Sequence, residues 1–345
     1  MDAACVTNPI SIGYLTGFLT EPHERVVALL ATPERGSLLV PKLEFERARA
    51  TVSDLDVAAY ADEDDPWRDA AAAVGNGLGS LAIEKGHLSV LACERLLHFI
   101  GSVRLADAGE AILQWRAVKD QAELDALAKA AQLTDDVTER AFASIRVGQT
   151  ELEVAARIDA EIAEVGGKPS FATAVQFGPD SALPHADPGA RRLQPNELVL
   201  LDFGVDQRGY KADITRVAVA GGPEPRQREL HAAVLEAHDA AIERVRAGVT
   251  AGEVDRAARE VLQRAALGEA FIHRTGHGLG LEGHEAPSLA AGSDVVLEAG
   301  MVVTIEPGVY FPGWGGVRIE DDVVVEADGC RVLTRAARDL LSLPL

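Results

Sequence analysis

The sequence predicts a small α/β domain over residues 1–112, followed by a larger α+β domain over residues 113–345 that carries an internal pseudo-two-fold repeat. Three observations lead there. The first hundred residues alternate short apolar runs with helical stretches. Gly148-Gln-Thr-Glu-Leu-Glu-Val-Ala155 resembles Gly248-Val-Thr-Ala-Gly-Glu-Val-Asp255, one hundred positions later. Each copy is followed, some way on, by a hairpin bearing two carboxylates.

In the first domain, residues 25–31 (RVVALLA) and 36–41 (GSLLVP) read as strands. Residues 42–49 read as a helix, and residues 65–74 as another, stopped by Gly75-Asn76-Gly77. A boundary is expected near residues 106–116, before a long amphipathic helix over 120–145. Thr150 and Thr250 are placed to cap helices that continue over 155–165 and 257–266. A duplication explains why there are two carboxylate pairs, and two halves facing each other would bring both pairs to one site.

In the first hairpin, Leu198-Val-Leu-Leu-Asp-Phe203 reads as a buried strand, Asp206-Gln-Arg-Gly209 as the turn and residues 211–220 as the return. Pairing Asp206 with Gly209 sets Asp202 directly opposite Asp213, with Cβ atoms roughly 4.5–5.5 Å apart. In the second, counting about Gly313 in a Pro/Gly-rich turn sets Glu306 opposite Glu320. Like charges directly opposed in a sheet are destabilising, so a positive species is expected between them.

Two divalent cations meet that need. Oxygen-rich ligation with one imidazole, from His277 in Gly276-His277-Gly278, suits Mn, Co or Zn without singling out one. Asp202 is assigned to one metal, His277 and Glu306 to the other, and Asp213 and Glu320 to both. Such a pair can acidify a shared water and clamp the oxyanion that follows. The second nitrogen of His277 needs an orienting partner, and Thr215, two residues beyond Asp213, is placed to hydrogen-bond a ligand carboxylate. His185 and His284 sit in Gly/Pro-rich surroundings where a histidine can donate to an oxyanion or move a proton. His273 is ambiguous. His23, His87, His98, His231 and His238 default to surface positions.

Composition narrows the class. The chain has 345 residues, 47% hydrophobic and 25% charged, with a net charge of −21. That charge argues against nucleic acid or an anionic membrane as principal partner. Cys5, Cys93 and Cys330 are scattered and form neither a disulfide framework nor a zinc-finger spacing. With no basic leader followed by a long apolar stretch, and only short apolar runs, a cytoplasmic enzyme is expected.

Several segments together resemble the M24 metallopeptidases, the pita-bread enzymes that include methionine and proline aminopeptidases and prolidase. They are Gly276-His-Gly-Leu-Gly-Leu-Glu-Gly-His-Glu-Ala-Pro287, Thr304-Ile-Glu-Pro-Gly-Val-Tyr310, Gly316-Val-Arg-Ile-Glu-Asp321, and Asp202 through Asp213-Ile-Thr-Arg216. The resemblance implies a pita-bread catalytic domain with Asp202, Asp213, His277, Glu306 and Glu320 as metal ligands. Tyr14-Leu-Thr-Gly-Phe18 resembles the creatinase-like N-terminal domain of the proline-directed branch. Pro22-His-Glu-Arg25 resembles a loop that in bacterial prolidases reaches the partner subunit's active site. Relatives usually carry an additional N-terminal helix before the first motif.

The resemblance therefore implies a homodimeric metal-dependent enzyme that cleaves Xaa–Pro bonds, most of all in dipeptides. Its substrate would be a small peptide with proline second. Glu306 is the expected proton shuttle, with His185 and His284 as catalytic partners. Arg318 and His23 are the expected substrate contacts, Arg318 alternatively supporting the ligand shell. An aminopeptidase P acting on longer peptides shares all five ligands and is the nearest alternative. A creatinase-like binding or metal-free protein is a more distant one.

Overall fold

The computed structural model describes residues 1–75 and 77–345. Two compact units are present, Met1–Arg116 and Ala117–Leu345.

The first unit is a six-stranded sheet with helices between its strands. In chain order it runs β1 (Ala3–Val6), α1 (Pro9–Thr16), β2 (Ala28–Ala31), β3 (Gly36–Pro41), α2 (Phe45–Thr51), β4 (Asp56–Tyr60), α3 (Pro66–Val74), β5 (Ser80–Ile83), α4 (Val90–Ile100) and β6 (Arg104–Asp107). The strand order is β4-β3-β2-β1-β5-β6, and α5 (Gly109–Ala117) leads on to the second unit. Two apolar clusters form its core, one around Leu81 and Leu96 and the other around Ile12 and Leu38.

Three expectations shift here. The strand expected over 25–31 begins only at Ala28, because Arg25 turns its guanidinium to Asp62 and the Val26 amide donates to the Tyr60 hydroxyl. The helix expected over 42–49 is a 3-10 turn, Lys42–Glu44, followed by α2. Asp65 is the cap of α3 rather than its first residue, and Asn76 of the expected stop lies outside the described residues.

The second unit contains the duplication. Its first half has α6 (Gln121–Ser144), α7 (Glu151–Glu164), β7 (Lys168–Pro169), β8 (Ala174–Phe177), β9 (Leu198–Phe203), β10 (Val205–Gln207), β11 (Tyr210–Lys211) and β12 (Ile214–Ala220). The second half has α8 (Pro225–Arg244), α9 (Ala251–Arg264), β13 (Gly276–Gly278), β14 (Glu285–Leu289), β15 (Val302–Ile305), β16 (Gly308–Phe311), β17 (Gly315–Arg318), β18 (Asp321–Glu326) and β19 (Gly329–Val332). A last strand, β20 (Leu341–Leu343), returns to the first half beside β12.

The halves match in detail. Thr150 and Thr250 both form capping boxes, with Glu153 and Glu253 respectively, so two otherwise unpaired groups are satisfied at each helix start. Both helices run fourteen residues. The order β8-β9-β12 in one sheet corresponds to β13-β15-β18 in the other. Apolar faces of α6 and α7 pack on the first sheet through Val137, Ile158 and Leu201, and α8 and α9 pack on the second through Val234, Val254 and Val303. The sheets meet at a bridge between Thr215 and Glu320, where the Glu320 amide donates to the Thr215 carbonyl.

The first hairpin differs from expectation by two residues. Asp206 pairs with Lys211 and Gln207 with Tyr210, so Asp202 faces Thr215, not Asp213. Arg208 and Gly209 both have positive φ, 57° and 94°, which is the two-residue turn that matches strand twist. Asp206 secures it by accepting from the Gly209 amide and pairing with Lys211. In the second hairpin the count about Gly313 holds on both sides, with Gly308 opposite Arg318 and Ile305 opposite Asp321. The ladder is interrupted between them, however, so Glu306 and Glu320 lie at a break between two sheets rather than inside one.

Candidate metal centre

Asp202 lies near the end of β9, Asp213 just before β12, His277 within β13, Glu306 just after β15 and Glu320 just before β18. Each half thus contributes one acid from the end of a strand and one from the start of the strand beside it. All five line one cavity of about 770 Å³.

Ligand-capable atoms of Asp213, His277 and Glu320 all lie within 4.8 Å of one another. His277 Nε2 stands 3.4 Å from Glu306 Oε1 and 3.9 Å from Asp213 Oδ2. Its Nδ1 lies 3.0 Å from the Gly278 carbonyl, an acceptor, so Nδ1 carries the proton and the Nε2 lone pair faces the same space as the acid oxygens, where a cation would be shared. The bulge between His277 and Gly278 and close packing around the strand set this geometry: a Cβ on Gly276 would meet the Thr304 carbonyl oxygen at 1.9 Å.

The acids are held from behind. Thr215 Oγ1 donates to Glu320 Oε2 at 2.6 Å, as its position on the strand led us to expect. Arg318 donates to Asp202 Oδ2 at 2.5 Å, to Thr215 Oγ1 at 2.8 Å and to the Tyr310 hydroxyl at 2.9 Å. Tyr310 continues to His273 Nε2, and His273 Nδ1 donates to the Arg274 carbonyl. Asp322 accepts from the Asp213 amide, and Arg216 grips the Glu320 carbonyl while pairing with Asp321. His238 Nε2 lies 3.1 Å from Asp321.

Electrostatics single out the centre. Burial first, then Glu320, Asp202 and Asp322, push the Asp213 carboxyl well above its ordinary range. Burial, Glu306 and Asp202 do the same to Glu320. Burial raises Glu306 to about 7. Burial and the charge of His284 hold His277 down at about 3. Asp202 Oδ1 and Asp213 Oδ1 are buried and accept no hydrogen bond. Clustered carboxylates with unused oxygens and a neutral imidazole lone pair are what oxygen-preferring divalent cations require.

His185 and His284 line the same cavity. The His284 ring lies 3.9 Å, centroid to centroid, from that of His277. Burial, with Arg274, lowers its pKa. The loop of His185 is gripped by the buried Gln176, whose amide donates to the Leu183 and Ala186 carbonyls. His23 is an exposed residue of the first unit and is not part of this cavity.

Two histidines expected at the surface are buried: His231 and His238 lie seven apart on the inward face of α8, where one helical face repeats. His87 and His98 are exposed, as expected. Gln176, Arg216 and Tyr310 carried no distinguishing signal in the sequence. Arg216 and Tyr310 stood inside segments that carry the family resemblance, but only the tertiary structure shows what each side chain holds.

A duplicated α+β unit with a carboxylate–imidazole centre where its halves meet defines the metallopeptidase class. The chain belongs to metallopeptidase family M24, whose model matches residues 125–327, and residues 1–118 match the creatinase/prolidase N-terminal domain. It has the pita-bread fold. It is 40% identical to the Xaa-Pro dipeptidase of Lactobacillus delbrueckii subsp. lactis, over all of this chain and 96% of that one. The Xaa-Pro dipeptidase from Bacillus anthracis superposes with a TM-score of 0.92 at 32% identity, over 99% of this chain and 95% of that one. An X-Pro aminopeptidase from Thermotoga maritima gives 0.91 at 30% identity, over 99% and 98%. Among the described residues no helix is long and apolar enough to cross a membrane.

Proposed function

We propose that this peptidase hydrolyses the Xaa–Pro bond of dipeptides, using two divalent ions held by Asp202, Asp213, His277, Glu306 and Glu320. The observation that carries the reading is the set of clustered acids, two with unused buried oxygens, around the lone pair of His277. Asp202 would hold one ion, His277 with Glu306 the other, and Asp213 and Glu320 would be shared between them. Divalent ions there supply an acidified water and positive charge against the developing oxyanion.

The chain's own residues do the rest. Glu306, beside His277 in the same cavity, takes a proton from the attacking water and returns it to the leaving proline nitrogen. His185 and His284 face the same cavity and donate to the oxyanion. Arg318 keeps Asp202 and Thr215 in place and helps orient substrate. Phe171, Pro184, Pro188 and Ile272 give the cavity an apolar wall that suits a proline ring. The working form is a cytoplasmic homodimer in which His23 of each subunit approaches the neighbouring site, and the metal is Mn, Co or Zn.

Chelation tests this. Stripped protein should lose hydrolysis of an Xaa–Pro dipeptide, and Mn, Co or Zn should restore it to different extents with close to two ions per chain. Full activity in metal-free protein contradicts the reading. Aminopeptidase P activity is the second reading, favoured by the likeness to the Thermotoga maritima enzyme.

A further inference from the structure

We propose that Gln176 is a positioning residue for His185, holding the turn that carries this imidazole at the cavity, an assignment that rests on the role given to His185 above. Residues 183–186 form a β-turn. The Ala186 amide donates to the Leu183 carbonyl at 2.9 Å, with Pro184 and His185 at the two central positions. Proline pre-sets the backbone at the first of these, which leaves His185 at the tip. His185 is exposed, and no hydrogen bond among the described residues reaches its ring. The place of the imidazole therefore depends on where the backbone of the turn stands.

Gln176 fixes that backbone. It lies in β8, 1% exposed, where Val175 and Phe177 join the apolar core. Gln176 shares the opposite face with Ala174, which lines the cavity. Its amide nitrogen donates to the Leu183 carbonyl at 2.7 Å and to the Ala186 carbonyl at 3.2 Å, so one side chain holds both feet of the turn. Two carbonyls also fix which way the amide faces, since its oxygen in that place would meet oxygen twice. On its other side Oε1 is buried and accepts no hydrogen bond, which costs about 1–3 kcal/mol. An apolar side chain of the same length would escape that cost, so the amide contributes position more than stability. The rest of the loop is anchored away from His185. The buried Glu151 carboxylate closes its base, accepting from the Phe177 and Gly189 amides, both at 2.8 Å. Ser181 Oγ donates to the Gly178 carbonyl and accepts from the Gly316 amide at 2.8 Å, docking the first part of the loop on β17. Among the described residues, the hydrogen bonds that tie residues 182–188 to the rest of the fold come from Gln176 alone. A displacement of about 1 Å at a reacting group can cost on the order of a hundredfold in rate.

The test is a double-mutant cycle on an Xaa–Pro dipeptide, using metal-loaded wild type, Gln176→Met, His185→Ala and the pair. Methionine has the length of glutamine and no donor. Gln176→Met should lower kcat about ten- to hundredfold, with KM changed less. In the His185→Ala background the same change should cost less than about twofold, because no imidazole is left to misplace. Gln176→Ala repeats the cycle with a smaller side chain, so the comparison survives a methionine that packs poorly. A merely structural role would lower kcat by the same factor in both backgrounds. That result overturns the proposal, as does an unchanged kcat in Gln176→Met or in His185→Ala. Hydrogen exchange gives a measurement independent of turnover: the amides of residues 183–186 should exchange about tenfold faster in Gln176→Met, those of Phe177 and Gly189 unchanged. Unaltered exchange at the turn also overturns the proposal. A wild type that cleaves no Xaa–Pro dipeptide contradicts the Xaa–Pro reading instead, and exchange still decides whether Gln176 holds the turn.

Discussion

His277 and Glu306 face each other at 3.4 Å with pKa values displaced in opposite directions, to about 3 and about 7. Both displacements come mainly from burial, which penalises a charged imidazole and a charged carboxylate alike. In the metal-free chain they act oppositely on stability. Glu306, ordinarily at 4.5, holds a proton when folded that the unfolded chain has released, so its contribution is complete below 4.5 and is lost as pH rises through about 7. His277, ordinarily at 6.5, is protonated first in the unfolded chain, so stability falls as pH drops from 6.5 towards about 3. Asp213 and Glu320, also raised, act with Glu306. Calorimetry of metal-free protein should therefore show Tm falling between pH 6 and 8, with a shallower slope in Glu306→Gln; a Tm that rises over that interval contradicts the assignment. Replacing His185 or His284 by Ala should lower kcat about ten- to thousand-fold with metal content unchanged. Unchanged kcat in both variants returns them to ordinary loop residues. The five candidate ligands were readable as residues because acid pairs around turn signals are rare in hydrophobic strands. The bonds behind them were not, since only the fold brings Arg318 to Asp202 and Thr215.

At the scale of elements, the capped repeat was legible and the first hairpin's register was not. Thr150 and Thr250 announce their helices through short-range chemistry, a side chain capping an amide three residues on. The register depends on which pair closes the turn. Asp206-Gln207-Arg208-Gly209 permits more than one choice, and the structure takes the choice that puts Arg208 in the left-handed region. A shift of two residues preserves which face each acid occupies, which is why Asp202 and Asp213 still line one cavity. Gly204 shows how tightly that hairpin closes: a Cβ there would lie 1.7 Å from the Ala212 carbonyl oxygen, next to Asp213. Gly204→Ala should cost about 1–3 kcal/mol through overpacking and reduce bound metal, read by elemental analysis; full metal content at unchanged Tm would show that the hairpin yields freely. The repeat supplies a stabilising change as well. Gly166 and Ala266 end α7 and α9 in the same left-handed conformation, φ 79° and 59°. Ala266→Gly removes a Cβ penalty of about 1 kcal/mol, and should raise Tm by roughly 2–4 °C. A fall in Tm would mean that the alanine's packing outweighs its strain.

For the whole molecule, the two units and the duplication were legible from the long amphipathic helix that follows the small α/β segment and from a hundred-residue spacing. Substrate length is a property of what surrounds the cavity, and the fold is shared almost equally with an Xaa-Pro dipeptidase and an X-Pro aminopeptidase, at TM-scores of 0.92 and 0.91. Assembly belongs to this scale: light scattering should give about twice the chain's 36.5 kDa, and His23→Ala should raise KM for dipeptides or relax the length limit with metal content intact. A monomeric enzyme that is fully active would remove His23 from the site. The most direct measurement is the ratio of kcat/KM for an Xaa–Pro dipeptide to that for the matching Xaa–Pro–Xaa tripeptide, in metal-loaded wild-type protein. A small zwitterion that fits the cavity should be cleaved far better than the longer peptide, by about a hundredfold or more if a charged contact is at stake. Equal values for the two peptides would contradict the dipeptidase assignment and identify the protein as an aminopeptidase of the same family.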